Sequence, residues 1–338
     1  MLLIKKIIAG VVLFFSITPF CLAQLRWVNV DSLYAPLPAS VHVYRTMDSI
    51  AGKPNIAFYV IADLNDRKLN FTTDTSYKRR LTPKQFFDKN KNPLLVVNGT
   101  FFEFETNRNV NAVVRKGKLL SYNLHSVPLK GKDTFLFQHS FRSAIGITKK
   151  RSADVAWLFA DTGMNVPLAS QKPIKYFKDS FRIDQEFVKG FEETNTVIDN
   201  GSTSSQTKKL FTPWRMQTAI GGGPVLVQNK QVAIANNQEA MFTGKAIDDR
   251  HPRTAMGYTE DGKLIILVVQ GRFTGVAEGA SLNHLAKMLT DLGCIEALNL
   301  DGGGSSCLLV NGKETITPSD KSGQRPVPAV FLIKSKKK

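Results

Sequence analysis

The segment Ala297-Leu-Asn-Leu-Asp-Gly-Gly-Gly-Ser-Ser306 says most about the fold of this sequence. Apolar residues alternate with Asn299 and Asp301 before the run stops at three glycines, a pattern typical of a strand that ends in a loop. A turn alone would not need three glycines and two serines. We therefore interpret the segment as a buried strand that carries a carboxylate, flexible backbone donors and two hydroxyls into a functional site.

Short apolar runs of the same kind recur along the rest of the chain. They are rich in β-branched and aromatic residues and are bounded by turn formers, which predicts buried strands. The runs comprise residues 56–62, 94–97, 224–227, 264–269 and 329–333.

Two helices are predicted. In residues 281–292 the apolar side chains fall on one face, Ser281 is a suitable N-cap, and Gly293 is a suitable stop. Thr82 and Pro83 begin a second candidate over residues 82–88. Because no linker divides the chain, we predict a single α+β domain with a mixed, mainly antiparallel sheet and few packed helices. The polar stretch 192–209 is expected to be a long loop or lid.

The first 23 residues have the layout of a secretory signal peptide. Lys5 and Lys6 precede an uncharged apolar run, which is too short to span a bilayer and is followed by Cys21-Leu-Ala23. We expect cleavage after Ala23 and export to the periplasm or the extracellular space, without a stable membrane anchor. Residues 24–93 would then supply the N-terminal strands of the domain, and residues 94–338 its catalytic part.

The formal charge of +17 suggests contact with an anionic partner, such as a phosphorylated glycan, an anionic envelope polymer or nucleic acid. The basic residues are scattered, and the dense run at 334–338 is expected to be a solvated tail. Cleavage would leave only Cys294 and Cys307, as two buried thiols or one bridge, so no disulfide framework supports the fold.

Three further segments place polar or glycine residues beside strands. Asn98-Gly-Thr-Phe-Phe-Glu103 offers a tight turn and an aromatic wall for a sugar ring. Gly221-Gly-Gly-Pro-Val-Leu-Val227 could bring backbone N–H groups close to an anion, but it lacks a nucleotide-binding spacing. Arg250-His-Pro-Arg-Thr-Ala255, followed by Gln270-Gly-Arg272, supplies guanidinium forks for a phosphate and a histidine that titrates near neutrality.

Taken in order, these segments resemble the phosphodiester glycosidase family, and the resemblance covers roughly residues 94–333. It implies a mixed α+β fold and a hydrolase that acts on a sugar joined through its anomeric carbon to a phosphodiester, similar to an N-acetylglucosamine-1-phosphodiester. Two positions depart from the family pattern. Asn283-His284 stands where members often carry an acid, and Gln270-Gly-Arg272 stands where many have Asp-Gly-Arg.

The resemblance and the residue types together predict roles for the site. We expect Asp301 to be the nucleophile or general base, with His251 or Glu103 as its partner. Arg253 and Arg272 would hold the phosphodiester. Ser305, Ser306 and the backbone of Gly302, Gly303 and Gly304 would position the sugar or its phosphate. The other predicted substrate contacts are Asn98, Gly99, Phe101, Phe102, Gly222, Gly223, Thr254, Gln270 and Asn299.

No cofactor is predicted, and no His/Cys ligand spacing is present. A divalent cation at Asp301 and Asn299 is compatible with the sequence but not required by it. Two other interpretations stay open. The departures at Asn283, His284 and Gln270 fit a non-catalytic glycan-binding protein derived from the same fold. The positive charge suggests a nucleic-acid binder or nuclease, but no nucleic-acid-binding motif accompanies it, so no nucleic-acid partner is expected.

Overall fold

The computed structural model describes residues 24–199 and 202–335. The predicted signal peptide, residues 1–23, and the last three lysines lie outside the described residues. Strands dominate the described part, and every strand pairing within it is antiparallel. The sequence correctly predicted antiparallel strands with few helices, whereas the parallel component of a mixed sheet is not found in these residues.

The largest sheet contains eight strands. Their spatial order is Val28–Asn29, Val41–Thr46, Ala57–Asp63, Lys263–Val269, Arg253–Thr259, Cys294–Asn299, Val225–Gln228 and Gln231–Val232. The N-terminal strands therefore pair with strands from the C-terminal half, so residues 24–93 are part of the same folded unit.

Two further sheets complete the main body. The seven-stranded sheet runs Thr212–Pro213, Leu168–Ser170, Ala153–Phe159, Ser143–Ile147, Thr218–Gly221, Val113–Arg115 and Lys118–Ser121. The five-stranded sheet runs Lys313–Glu314, Leu308–Val310, Leu95–Asn98, Ala329–Ser335 and Leu69–Thr75. Two small sheets consist of Phe177–Asp179, Phe137–His139 and Ser126–Pro128, and of Glu192–Asp199 and Ser202–Lys209.

The helices of the described residues are short. The α-helices are Asp31–Tyr34, Pro83–Lys89, Gln185–Lys189, Asn236–Glu239 and Leu282–Asp291, and the 3-10 helices are Gly131–Asp133, Gly244–Ile247 and Gly303–Ser305. Within residues 24–199 and 202–335, no helix is long and apolar enough to cross a membrane.

Both predicted helices are present with the predicted caps. Ser281 precedes Leu282–Asp291 and its hydroxyl accepts a hydrogen bond from the His284 N–H, while Thr82 caps Pro83–Lys89 in the same way through Gln85. Such a cap satisfies an N–H group that the first helical turn leaves unpaired. The amphipathic pattern therefore identified the helices because a capping residue marked where each begins.

The core has two main layers. Leu282–Asp291 packs Leu285 and Leu289 onto one face of the eight-stranded sheet. The opposite face of that sheet packs against the seven- and five-stranded sheets, through side chains such as Val60, Trp157 and Phe331.

Two sequence expectations outside the site are wrong. Residues 192–209 are not a loop, because Glu192–Asp199 and Ser202–Lys209 pair as a hairpin whose tip, Asn200 and Gly201, lies outside the described residues. The solvated tail begins later than expected, because Lys334 and Ser335 belong to the last strand. Cys294 and Cys307 are both buried free thiols, so the alternative of a bridge is excluded.

Candidate active site

One strand from each of the three large sheets ends at the same place. Leu95–Asn98, Thr218–Gly221 and Cys294–Asn299 all lead into loops there. The Asp301 N–H donates to the Gly99 carbonyl at 2.9 Å, and the Gly223 N–H donates to the Asn299 carbonyl at 2.8 Å. Segments that are about 200 residues apart in sequence, such as those of Gly99 and Asp301, thus meet at one place.

The Asn98 side chain connects the segments that meet at this place. Its side-chain amide donates to the Asp301 carbonyl at 2.6 Å, and its side-chain oxygen accepts hydrogen bonds from the Thr254 hydroxyl at 2.9 Å and the Cys307 N–H at 3.0 Å. Asn98 and Thr254 are fully buried. Both residues therefore hold the Asp301 loop in place rather than face a ligand.

The Asp301 side chain is closely enclosed by protein atoms, although a small part of its surface stays accessible. Burial raises the pKa of its carboxyl group to about 7, and the Ser305 hydroxyl and the Arg325 guanidinium oppose this shift. A carboxyl group that titrates near neutrality is suited to proton transfer or nucleophilic attack.

Buried polar atoms without a hydrogen-bond partner concentrate in this region. The described residues contain eight such atoms, and Asn299 Oδ1, Ser305 Oγ, Ser306 Oγ and His251 Nδ1 account for half of them. The Ser305 hydroxyl is near enough to Asp301 to favour its charged form, but its geometry is not that of a hydrogen bond. Because unpaired buried polar groups are costly, their concentration marks a site where a polar ligand would be accommodated.

The two predicted phosphate-binding arginines differ in their environments. Arg253 is buried, and its Nε and Nη2 donate to the carbonyls of Ala280, Ala246 and Asp249. Burial lowers the pKa of Arg253 to about 10. Arg253 thus mainly holds the neighbouring loops together.

Arg272 is exposed, and it makes no hydrogen bond or ion pair with another side chain in the part of the chain that is described. A β-carbon at Gly303 would lie 3.0 Å from Arg272 Nη2, so this guanidinium lies directly beside the glycine loop. Arg272 also has a positive φ of 68°, which is uncommon outside glycine. Of the two arginines, Arg272 is the one with donors available to a ligand.

Sequence reasoning missed a third arginine, Arg325. A β-carbon at Gly304 would collide with its guanidinium, and its charge lowers the pKa of Asp301. Asp320 accepts from its Nε at 2.7 Å, and the guanidinium lies 5.4 Å from the Phe104 ring centroid. No motif identifies Arg325 in the sequence, because it lies in a loop and reaches the site only through the fold.

His251 lies beside the glycine loop, whereas Glu103 is engaged elsewhere. The Gly303 N–H donates to the carbonyl of Pro252, which follows His251 in the chain. Burial and the charges of Arg253 and Arg272 lower the pKa of His251, so its imidazole is neutral at pH 7. The Glu103 carboxylate accepts from the Thr106 hydroxyl at 2.8 Å.

The two phenylalanines predicted as one wall point to different neighbours. Phe101 packs edge-on against Phe242, with ring centroids 6.0 Å apart. Phe102 packs against Phe104 and lies under the Arg80 guanidinium. A single stacking surface made of Phe101 and Phe102 is therefore not formed.

The glycines at 221–223 bring strands together instead of presenting free donors. Their N–H groups donate to the carbonyls of Ala112, Ser143 and Asn299, which leaves none of the three for an anion. A β-carbon at Gly222 would overlap the Asn299 carbonyl oxygen. Gln270 is likewise structural, since its side-chain oxygen accepts from the Thr317 N–H at 2.8 Å.

Glu239 is a buried carboxylate that the sequence did not single out. It accepts hydrogen bonds from the N–H and hydroxyl of Ser143, the Trp157 indole and the Val225 N–H. Burial raises the pKa of Glu239 to about 7, but four donors and the nearby Arg142 favour its charged form. Glu239 fastens the seven-stranded sheet to the eight-stranded sheet directly below the glycines.

Among residues 24–199 and 202–335, no group of three or more His, Cys, Asp or Glu side chains is arranged to hold a metal ion. The Asn299 Nδ2 donates to the Gly223 carbonyl at 2.9 Å, while its Oδ1 is one of the unpaired atoms.

Comparison with known proteins finds one matching family model and several curated relatives. A family model described as phosphodiester glycosidase matches residues 170–334. The N-acetylglucosamine-1-phosphodiester alpha-N-acetylglucosaminidase of Bos taurus is 31% identical over 102 residues, which are 30% of this chain and 19% of that protein. The SPbeta prophage-derived protein YomE of Bacillus subtilis is 39% identical over 80 residues, which are 24% of this chain and 12% of that protein.

The fold also matches a solved structure. The zebrafish N-acetylglucosamine-1-phosphodiester alpha-N-acetylglucosaminidase catalytic domain, auto-inhibited by its pro-peptide, aligns with a TM-score of 0.56 and 17% identity over 93% of this chain and 89% of that chain. The chain spans less than a fifth of the length of the curated relatives named above. The predicted resemblance to the phosphodiester glycosidase family is confirmed, because the family model matches residues 170–334 and curated relatives carry that activity in their names.

Proposed function

We propose that this protein is an exported hydrolase that cleaves a sugar-1-phosphodiester at the anomeric carbon. Water adds to that carbon, the bond from carbon to the bridging oxygen breaks, and the products are a free sugar and a phosphate monoester. The phosphate monoester is a good leaving group that needs less protonation than an alkoxide, so cationic side chains can carry much of the stabilisation.

Asp301 is the proposed nucleophile or general base, since its pKa of about 7 leaves much of it ionised at neutral pH. We assign the partner role to His251 in preference to Glu103. The His251 ring is neutral, has an unpaired buried Nδ1, and lies beside the glycine loop. A neutral imidazole with a free nitrogen can accept or pass on a proton.

Arg272 and Arg325 are the proposed phosphate clamp. Both guanidinium groups lie against the glycine loop, at Gly303 and Gly304 respectively, so they flank the space next to Asp301. A planar guanidinium fork binds phosphate oxygens in pairs and stays charged at physiological pH. Arg253 then contributes by holding the loops that carry His251.

The observation that carries the proposal is the concentration of unpaired buried polar atoms around Asp301. Ser305, Ser306 and Asn299 offer two hydroxyls and an amide oxygen for which the described part of the chain provides no hydrogen-bond partner. A sugar supplies hydroxyl groups that can pair with all three, whereas a purely apolar ligand would leave them unpaired.

The proposal is tested by incubating the protein with a panel of sugar-1-phosphodiesters and following the anomeric proton signals by NMR. Release of free sugar together with a phosphate monoester is expected for at least one diester, led by N-acetylglucosamine-1-phosphodiesters. Release of a sugar-1-phosphate instead would mean that the phosphorus–oxygen bond breaks and would refute the glycosidase assignment.

A non-catalytic glycan-binding protein is the second candidate, and one observation favours it. His284, at a position where the family often carries an acid, is used to cap the long helix, with its Nδ1 3.0 Å from the Ser281 hydroxyl. Asn283 beside it reaches Asp248, which is close to the site. If no diester in the panel is cleaved while sugars still bind, this candidate replaces the hydrolase.

A further inference from the structure

Two basic depressions lie on either side of the turn that contains residues 65–68. The larger one, about 1070 Å³, is lined by Lys68, Lys91 and Lys334 among other residues. The smaller one, about 700 Å³, is lined by Asn65, Arg67, Lys149, Lys150 and Arg151. Because Arg67 and Lys68 are adjacent in the chain, the two depressions adjoin, and together they form what we call the basic track.

The positive charge of the basic track is not neutralised by the protein. Six of its side chains form no ion pair with a carboxylate in residues 24–199 and 202–335; these are Arg67, Lys68, Lys91, Lys149, Lys150 and Lys334. Among the described residues, Asp66 is the one acidic residue that lines the depressions, and it accepts hydrogen bonds from the Ser40 hydroxyl and the Lys68 N–H.

Positive charges also crowd one another at the end of the larger depression. Burial lowers the pKa of Lys334, and the charges of Arg115, Lys91 and Lys116 lower it further, while the Asp74 carboxylate opposes the shift. Such crowding would be relieved by a bound anion. The walls are formed partly by Pro36, Pro38 and Pro93, whose fixed backbone makes the larger depression preformed.

The shape of the two depressions and the residues that line them indicate which kind of anion would bind there. No aromatic side chain lines either depression, so stacking platforms for nucleic-acid bases are lacking in the described residues. The cations lie in concave surfaces rather than on a flat face flanked by large apolar side chains, which disfavours docking on a lipid surface. Two adjoining depressions suit a chain with repeated charges more than a single small ion.

We propose that the basic track binds a linear polymer of phosphate groups that runs through both depressions past the turn at residues 65–68. This binding site is separate from the candidate active site. Leu94 lines the larger depression and immediately precedes the strand Leu95–Asn98, whose last residue, Asn98, holds the Asp301 loop in place. The two sites are therefore about 13 Å apart along that strand. The track would hold the protein on its polymer while leaving Asp301 accessible.

The test uses inorganic polyphosphate chains as the probe, measured by calorimetry against tripolyphosphate. A polymer site predicts that the longer chain binds at least tenfold more tightly at equal phosphate concentration, and that added salt weakens binding strongly. The variant Lys68→Ala/Lys91→Ala should reduce affinity for the long chain at least tenfold. The control Lys230→Ala/Lys287→Ala removes the same charge from lysines that are ion-paired elsewhere and should change affinity less than twofold.

Activity on a small diester provides an independent readout, because neither pair of substitutions touches the candidate active site. It should stay within twofold of wild type in both variants. Equal loss of polyphosphate affinity in the control and the track variant would overturn the proposal, since only net charge would then matter. Tighter binding of single-stranded oligothymidylate, or of phosphatidylglycerol vesicles, than of polyphosphate with equal charge would overturn it as well.

Discussion

At the scale of single residues, the candidate site depends on which polar side chains form hydrogen bonds within the protein and which can bind a ligand. The sequence identified Asp301, Arg253 and Arg272 as neighbours, and the structure brings all three to one glycine loop. It could not show that Arg253 donates to backbone carbonyls, whereas Arg272 forms no hydrogen bond or ion pair with another side chain within residues 24–199 and 202–335. Nor could it reveal Arg325, because residue type alone does not tell which loop arginine turns inward.

The pH dependence of activity follows from the pKa of Asp301. Burial raises that pKa from 3.8 to about 7, so the carboxyl group becomes protonated as the pH falls below 7. If Asp301 acts in its ionised form, kcat/KM should fall about tenfold per pH unit below pH 7. A pH–rate profile with a diester substrate checks this, and activity that rises on acidification would instead make Asp301 a proton donor.

The same shift predicts an effect on stability. Ionised Asp301 is less favourable in the folded than in the unfolded chain, so its contribution weakens the fold as the pH rises from about 4 to about 7. Asp301→Asn removes that cost and should raise Tm by about 2 to 4 °C at pH 8. At pH 4 little of the cost remains, so the two proteins should melt at nearly the same temperature, and a larger gain at pH 4 than at pH 8 would contradict the assignment.

Arg272 should matter for binding and not for folding. Arg272→Ala is expected to lower kcat/KM by about 10²-fold, because a phosphate contact is lost, with little change in Tm. Arg215→Ala is the matched control, since Arg215 is also exposed and lies in another loop. If both substitutions reduce activity alike, the effect is one of overall charge and Arg272 is not a clamp.

At the scale of elements, glycines decide how closely the strands and loops approach. A β-carbon added at Gly222 would collide with the Asn299 backbone carbonyl, whereas one added at Gly304 would collide with the end of the flexible Arg325 side chain. The glycine runs were visible in the sequence, but the expectation that Gly221, Gly222 and Gly223 present free N–H groups to an anion was wrong. Whether a glycine serves strand packing or ligand contact depends on long-range neighbours, which local patterns do not contain.

Alanine substitutions separate these two roles. Gly222→Ala should lower the free energy of unfolding by about 2 to 4 kcal/mol in urea denaturation, because the Asn299 backbone cannot move away from the added methyl group. Gly304→Ala should cost less than about 1 kcal/mol yet reduce kcat/KM at least tenfold, because it displaces Arg325. If Gly304→Ala instead lowered the free energy of unfolding more than Gly222→Ala, the glycine loop, and not the strand junction at Gly222, would be the rigid part.

At the scale of the whole molecule, strand periodicity predicted the buried strands well, because each run is apolar and bounded by turns. The hairpin at 192–209 was missed since its strands are polar, as in Glu192 and Lys209, and pair with each other rather than with the core. Tertiary pairing, which periodicity does not encode, makes these residues strands.

Export is a property of the whole chain and has a direct test. We predict that expression of the full sequence in a bacterial host yields a protein whose first residue is Gln24, recovered outside the cytoplasm. N-terminal sequencing and cell fractionation check this, and a cytoplasmic protein that still begins at Met1 would refute the signal peptide.

The most direct test of the account is the turnover of Asp301→Asn on the best diester from the panel, measured together with the affinity of both proteins for the released sugar. We predict that turnover falls at least 10³-fold while affinity changes less than threefold, because the amide keeps the shape of the site and loses the reactive carboxylate. Turnover within tenfold of wild type would contradict the central role of Asp301.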